Sequence, residues 1–168
     1  TPILKYLKSN KVSSNFEINL LSQPPSHIGL GSGSQLCLCL GKSILTHLGI
    51  KASISDIACI YNRGERSGTG IRIFERGGFV VDACKKENML PETMFNSKFP
   101  REWKIILIND NQLKGTSGEK EVRFFNKNIK LSKQYKAELS HIALRGILPS
   151  VIYKDFDNFS KNISEFQR

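Results

Sequence analysis

The chain has 168 residues, 39% apolar and 24% charged, enough to bury a core in one substantial domain or two small ones and unlike the composition of a disordered tail. No apolar run reaches the roughly 18 residues a membrane span needs, and the first ten residues lack the apolar stretch of a secretion signal, so a cytoplasmic protein with no membrane partner is expected. The net charge of +10 is spread evenly, with 12 basic and 7 acidic groups in residues 1–98 and 13 and 8 in residues 99–168. There is no dense basic arm and no aromatic stacking cluster beside basic residues, so nucleic acid is not an expected partner.

Residues 1–10 read as the end of a helix, with Ile3, Leu4 and Leu7 on one side. Phe16, Ile18 and Leu20 alternate with polar neighbours, the period of a strand, which Gln23, Pro24 and Pro25 end. A Gly/Ser loop over residues 29–34 leads into a helix to about Leu48. Ser32 and Gln35 have the spacing of a capping box, and Gly49 suits the position just past the helix end. Ser53 and Asp56 repeat that box before a helix over residues 55–62. Residues 63–70 form a second glycine-rich turn. Residues 71–74 and 78–82 read as strands joined by Arg76 and Gly77. Residues 85–100 are polar, with prolines at 91 and 100, and read as a linker. Residues 103–108 read as a strand, 119–125 as a helix, and 133–167 as two helices broken near Pro149. The first strand has no partner before it and the last helix stops in mid-pattern, so the chain is expected to be part of a longer protein. Cys37, Cys39, Cys59 and Cys84 contain no Cys-x-x-Cys pair and no histidine at ligand spacing, so they read as buried, reduced thiols and not as a metal site.

The strongest chemical signal is the run from Pro25 to Gln35, which includes His27, Gly29, Gly31, Ser32, Gly33 and Ser34, between a strand and a helix. Glycines allow positive φ and close approach of the backbone to a ligand. The following helix start offers unpaired N–H groups and the positive end of its dipole, which together make a phosphate cradle. No lysine follows the glycines, so this is not a Walker loop, and the spacing is not that of a dinucleotide fold.

Pro-x-x-x-Gly-Leu-Gly-Ser resembles the second motif of the GHMP kinases, which wraps the phosphates of ATP. The kinases continue Ser-Ser-Ala where this chain has Ser32, Gly33 and Ser34. Mevalonate-type kinases have Ser-Gly-Val-Asp where this chain has Ser67, Gly68, Thr69 and Gly70, so Gly70 stands at the place of their catalytic base. These departures are similar to the β-ribofuranosylaminobenzene 5'-phosphate synthases of the same superfamily. That family's His-x-Gly-Leu-Gly-Ser-Gly-Thr/Ser-Gln-Leu is matched from His27 to Leu36. Its Arg-Gly-x-Arg-Ser-Gly-x-Gly is matched from Arg63 to Gly70, and its Gly-Gly-Phe-Ile/Val-Val-Asp from Gly77 to Asp82. A Trp-led strand and a Lys-Gly-x-Ser-Gly-Glu segment match Trp103 and Lys114 to Glu119. Asn62, where glycine is common, and Ala83 with Cys84, where Gly-Gly often follows the aspartate, depart from the pattern.

The resemblance implies an α+β fold of GHMP-kinase-like two-domain architecture, incomplete at both ends here, with residues 1–95 in the N-terminal domain and 96–168 in the C-terminal one. It implies a ribosyl transferase that joins phosphoribosyl pyrophosphate to 4-aminobenzoate or a close 4-substituted benzoate. Pyrophosphate and carbon dioxide are released, with Mg2+ as the ion, on the route to methanopterin-type cofactors. Gly29, Gly31, Ser32, Gly33, Ser34 and Gln35 are then expected at the diphosphate. Arg63 and Arg66 are expected at phosphate or arene carboxylate. Asp82 is expected at the metal or the developing sugar cation, against a purely structural role at a strand end. His27 and Lys114 are expected beside the substrate, and a homodimer is left open. The competing reading is an ATP-dependent GHMP kinase, which needs Glu65 or Asp82 to replace the base missing at Gly70. A non-enzymatic nucleic-acid-binding module is the third reading.

Overall fold

The computed structural model describes residues 1–13, 15–23, 29–83, 86, 89–108 and 131–168. The chain divides into two compact units, Thr1–Asn96 and a second beginning at Ser97.

The first unit is built on four helices: α1 (Pro2–Ser9), α2 (Ser32–His47), α3 (Ile54–Ile60) and α4 (Thr69–Arg76). Ile3 and Leu7 of α1, Leu38, Ile44 and Leu45 of α2, Ile57 and Ala58 of α3 and Ile71 of α4 form one buried cluster. Helix α2 approaches α3 closely because position 41 is glycine: a Cβ there would lie 2.4 Å from Ile57 Cγ2. Helix α2 ends as expected. Gly49 is left-handed at φ 68°, its N–H donates to the Thr46 carbonyl at 3.0 Å, and that of Ile50 donates to the Leu45 carbonyl at 2.8 Å. The box at the start of α3 forms too, with the Asp56 amide donating to Ser53 Oγ and the Ser53 amide donating to Asp56 Oδ2.

Helix α3 ends in the same way. Asn62 is left-handed at φ 52°, and the Arg63 amide donates to the Ala58 carbonyl at 2.8 Å. Glycine is the usual residue at such a position and asparagine the next choice, so Asn62 in place of glycine leaves the backbone geometry intact.

Several expectations need correction. Residues 71–74 are not a strand; they lie in α4, where Ile71 is buried while Ile73 is 42% exposed. A short stretch of alternating residues fits a helix face as well as a strand face. The supposed linker contains strand β2 (Thr93–Ser97), which pairs antiparallel with β1 (Phe79–Asp82) in a two-stranded sheet. Residues 15–23 and 103–108 carry strand-like patterns but form no ladder with any described residue. Alternation sets which face a residue takes, and a strand exists only where a partner supplies its hydrogen bonds. The thiols are less buried than expected: Cys37 is half-buried, Cys39 and Cys59 are exposed, and Cys84 lies outside the described residues.

The second unit carries α5 (Lys133–His141), a π-helical segment (Ile142–Ile147), α6 (Leu148–Tyr153) and α7 (Phe156–Phe166). The helix does not break at Pro149. The ladder widens just ahead of the proline, which falls in the first turn of α6, where a missing N–H costs little. The break comes at Lys154, left-handed at φ 57°, after which Asp155 Oδ1 accepts from the Asn158 amide and caps α7. Phe99, Trp103, Phe156 and Phe159 pack edge to face, except for the tilted Trp103–Phe159 pair, and hold residues 99–103 against α7. The expected helix over residues 119–125 lies outside the described residues.

Candidate functional site

Helix α2 starts one residue earlier than the capping box predicts. Gly31 is its cap residue, left-handed at φ 65°, and Ser32 is already helical. The Ser34 and Gln35 amides both donate to the Gly31 carbonyl, at 3.0 and 3.1 Å. They are therefore not the ligand donors expected of them. Among the described residues, the amides of Gly31, Ser32 and Gly33 have no backbone acceptor, as the geometry of a helix start dictates. A Cβ built at Gly29, Gly31 or Gly33 would meet nothing within 4 Å. Among the described residues, therefore, none packs against these glycines.

The side chain of Gln35 is also reassigned. Its Nε2 donates to the Gly70 carbonyl at 2.9 Å, across 35 residues of chain, in a half-buried position. The start of α2 is thereby tied to the first turn of α4. Beside it a pocket of about 260 Å3 has Ser32, Gly33 and Gln35 on its rim and Leu36, Cys39 and Phe74 among its apolar walls.

The second glycine turn differs from the first. Asp82, at the end of β1, turns its carboxylate onto the start of α4. Oδ2 accepts from Ser67 Oγ at 2.6 Å, the Gly68 amide at 2.6 Å, the Thr69 amide at 3.1 Å and Thr69 Oγ1 at 3.0 Å. Burial pushes this carboxyl up, but the two hydroxyls and two amides together outweigh it and hold its pKa below the usual carboxylate value. Behind the turn Gly68 is buried against Pro91, whose carbonyl oxygen would lie 2.6 Å from a Cβ. The sequence pattern places residues 67–69 in a glycine-rich turn between a helix and a strand. The signal that was there is Ser-Gly-Thr ahead of a helical face, residues whose hydroxyls and amides serve helix starts.

Arg63 lies beside α2, where its Nη2 donates to Cys37 Sγ at 3.6 Å, while its Nε is buried with no hydrogen-bond partner. Arg66 and Glu65 are exposed on the turn. His27 and Lys114 lie outside the described residues. Gly70 is the second residue of α4, and the nearest chain to a Cβ built there is Gln35 Nε2 at 3.9 Å. Among the described residues no three His, Cys, Asp or Glu side chains gather as a metal site, and Asp82 Oδ2 already accepts four bonds. The described side chains therefore do not make a cage for Mg2+. No helix among them is long and apolar enough to cross a membrane.

Residues 2–75 match the GHMP kinases N terminal domain. Over 98% of its length the chain is 32% identical to a β-ribofuranosylphenol 5'-phosphate synthase of Methanothermobacter thermautotrophicus, covering 53% of that protein. It is 34% identical over 90% of its length to the protein of the same name from Archaeoglobus fulgidus, covering 52%. The chain is thus similar to synthases of that name, and its first part carries the GHMP kinase N terminal domain. A third relative of that name, from Methanocaldococcus jannaschii, is 32% identical and half covered. The chain thus spans about half the length of the curated relatives it matches. The α+β architecture expected from the GHMP resemblance is the one found, and the chain is an incomplete part of it. The relatives' name carries a phenol where the sequence resemblance led to an aminobenzene.

Proposed function

We propose that the whole protein is a ribosyl transferase that joins phosphoribosyl pyrophosphate to a 4-substituted benzoate, releasing pyrophosphate and carbon dioxide. The bond from the anomeric carbon to the pyrophosphate oxygen breaks. The ring carbon bearing the carboxylate attacks the anomeric carbon, and the electrons of the departing carboxylate restore the aromatic ring. No proton need be removed from a hydroxyl. A phenol product, as in the relatives' name, reached by this course requires 4-hydroxybenzoate in place of 4-aminobenzoate.

The observation that carries this reading is the open first turn. Gly31 and Gly33 leave room for a ligand at the Ser32 and Gly33 amides, which suits a departing diphosphate. The pocket beside it, with Leu36 and Phe74 in its wall, suits a ring held next to that diphosphate. The kinase reading finds less support. Gly70 cannot take a proton, the bonds that Asp82 accepts lower its pKa and make it a weaker base, and a positioned base contributes about 100- to 10,000-fold. Mg2+ is proposed to arrive with the phosphates of the substrate, as is usual for this ion, and cytoplasm as the location.

The test is the full-length protein with phosphoribosyl pyrophosphate and either 4-hydroxybenzoate or 4-aminobenzoate, following labelled carbon dioxide and pyrophosphate. Release of both with one of the two arenes is expected. Transfer from ATP at ordinary kinase rates, with no carbon dioxide from any benzoate, overturns the reading. Arg66→Ala is expected to lower turnover at least tenfold while the melting temperature stays within two or three degrees (about 1 kcal/mol for a protein of this size).

A further inference from the structure

The two glycine turns of the first unit were both candidates for anion binding, and the structure separates them. The second turn has the donors of an anion nest: two amides at a helix start and two hydroxyls, all directed at one point. That point is occupied by Oδ2 of Asp82, from the same chain. The first turn has its amides and open space and no internal carboxylate among the described residues. Between them runs one cross-chain bond, from Gln35 Nε2 on α2 to the Gly70 carbonyl on α4.

We propose that Asp82 and Gln35 are positioning residues, with Asp82 filling the Ser67–Thr69 turn as an internal anion and Gln35 fastening that turn to the start of α2. The second turn is then framework, and the external diphosphate is held at the first turn alone. This rests on the reading of the first turn as the diphosphate site, and it withdraws Asp82 and the side chain of Gln35 from direct contact with phosphate, metal or sugar. A carboxylate serves better than a neutral group at this place, because charge-assisted bonds to N–H and O–H donors are about twice as strong as neutral ones. A negative charge at a helix start also complements the dipole. An external phosphate would have to displace a ligand that is tethered by the chain and so is present at high effective concentration.

The experiment is amide hydrogen exchange on the full-length protein, with and without inorganic pyrophosphate and Mg2+, together with calorimetric titration of pyrophosphate. In the wild type the Gly68 and Thr69 amides should exchange slowly before any ligand is added, and pyrophosphate should slow exchange only across residues 31–33. In Asp82→Asn the Gly68 and Thr69 amides should exchange at least tenfold faster, while pyrophosphate affinity and its Mg2+ dependence stay within threefold of wild type. Thr69→Val removes one hydroxyl donor at nearly constant shape and should act in the same direction more weakly. It keeps the test readable if Asp82→Asn is poorly folded. In Gln35→Ala pyrophosphate should still protect residues 31–33, with affinity within threefold, while turnover of phosphoribosyl pyrophosphate falls about tenfold at unchanged KM.

A tenfold loss of pyrophosphate affinity in folded Asp82→Asn, or pyrophosphate protection appearing at Gly68 and Thr69 in the wild type, overturns the proposal. Fast exchange at those two amides in the unliganded wild type does the same. Absence of protection at residues 31–33 sinks the diphosphate reading of the first turn instead. The exchange rates of Gly68 and Thr69 in the wild type and in Asp82→Asn still decide whether Asp82 fills the second turn.

Discussion

The two glycine turns look interchangeable in sequence, each a Gly/Ser cluster opening a helix, and they are opposites in structure. At Gly29, Gly31 and Gly33 a Cβ meets no described residue within 4 Å, while at Gly68 it meets the Pro91 carbonyl at 2.6 Å. The glycines of the first turn are needed for positive φ or for something outside the chain. Gly68 is needed because the chain itself is there. The donors of the first turn have no acceptor within the described protein, whereas those of the second share Asp82. A glycine-rich helix start is therefore only half of an anion site. The other half is whether the fold supplies its own anion, and that depends on a residue 15 positions away from Ser67.

Substitutions can break this contrast. The largest effect is expected at Gly68→Ala in the full-length protein. The added methyl group meets a backbone oxygen that can move only with β2 and its approach, so destabilisation of up to about 3 kcal/mol is expected in urea denaturation. Asp82→Ala should follow, at about 2 kcal/mol, since it leaves the Ser67, Gly68 and Thr69 donors without their shared acceptor in a half-buried place. A near-neutral result for either would mean that the second turn is as loosely held as the first.

The same carboxylate gives the contrast a pH signature. Asp82 has a folded pKa below its usual value of about 3.9. The unfolded chain therefore binds the extra proton first, and the stability contributed is present above that usual value and lost as pH falls through the folded pKa. Asp56, held down by the Ser53 hydroxyl and amide, and Asp155, held down by Asn158, add acid sensitivity of the same sign. The share due to Asp82 is thus a difference. Below about pH 4 the wild type should lose stability more steeply than Asp82→Asn, in denaturation curves taken at half-unit steps, and parallel curves would remove Asp82 from the account.

What the sequence made legible follows from which interactions are local. The helix end at Gly49 and the Ser53–Asp56 box depend on residues within five positions of each other, and such signals are written in order along the chain; the left-handed turn at Asn62 is as local, but asparagine marks it less plainly than glycine does. The glycine turn before α2 was legible for the same reason. Residues 71–74 were misread because four alternating residues fit either period, and only the burial of Ile71 on the α2 side decides. β2 was missed because a five-residue edge strand with Asn96 and Ser97 in it is defined by its partner β1 and hardly by its composition. The bonds from Gln35 to Gly70 and from residues 67–69 to Asp82 were illegible in principle: the first depends on the packing of α2 on α4 and the second on the packing of β1 on α4. The sequence drew attention to Asp82 as a carboxylate at a strand end, while its partners could only come from the fold.

The smallest expected effect in stability separates the two turns most cleanly. Gly33 is the second residue of α2, its φ is not positive, and a Cβ there lies in open space. Alanine is a better helix former than glycine by roughly 0.5–1 kcal/mol, so Gly33→Ala should leave the protein equally or slightly more stable. If the first turn is only a helix start, nothing else should change. If it is where a diphosphate approaches the backbone, the added methyl group sits beside the Ser32 and Gly33 amides that would hold it. Pyrophosphate affinity should then fall by about tenfold, corresponding to about 1.4 kcal/mol. A variant that gains stability and loses affinity has no structural explanation other than a ligand at that surface, because a damaged fold would lose both. The measurement is a thermal melt beside a pyrophosphate titration of the same full-length preparation. Unchanged affinity in a folded Gly33→Ala would return the first turn to the status of the second, a feature of the framework.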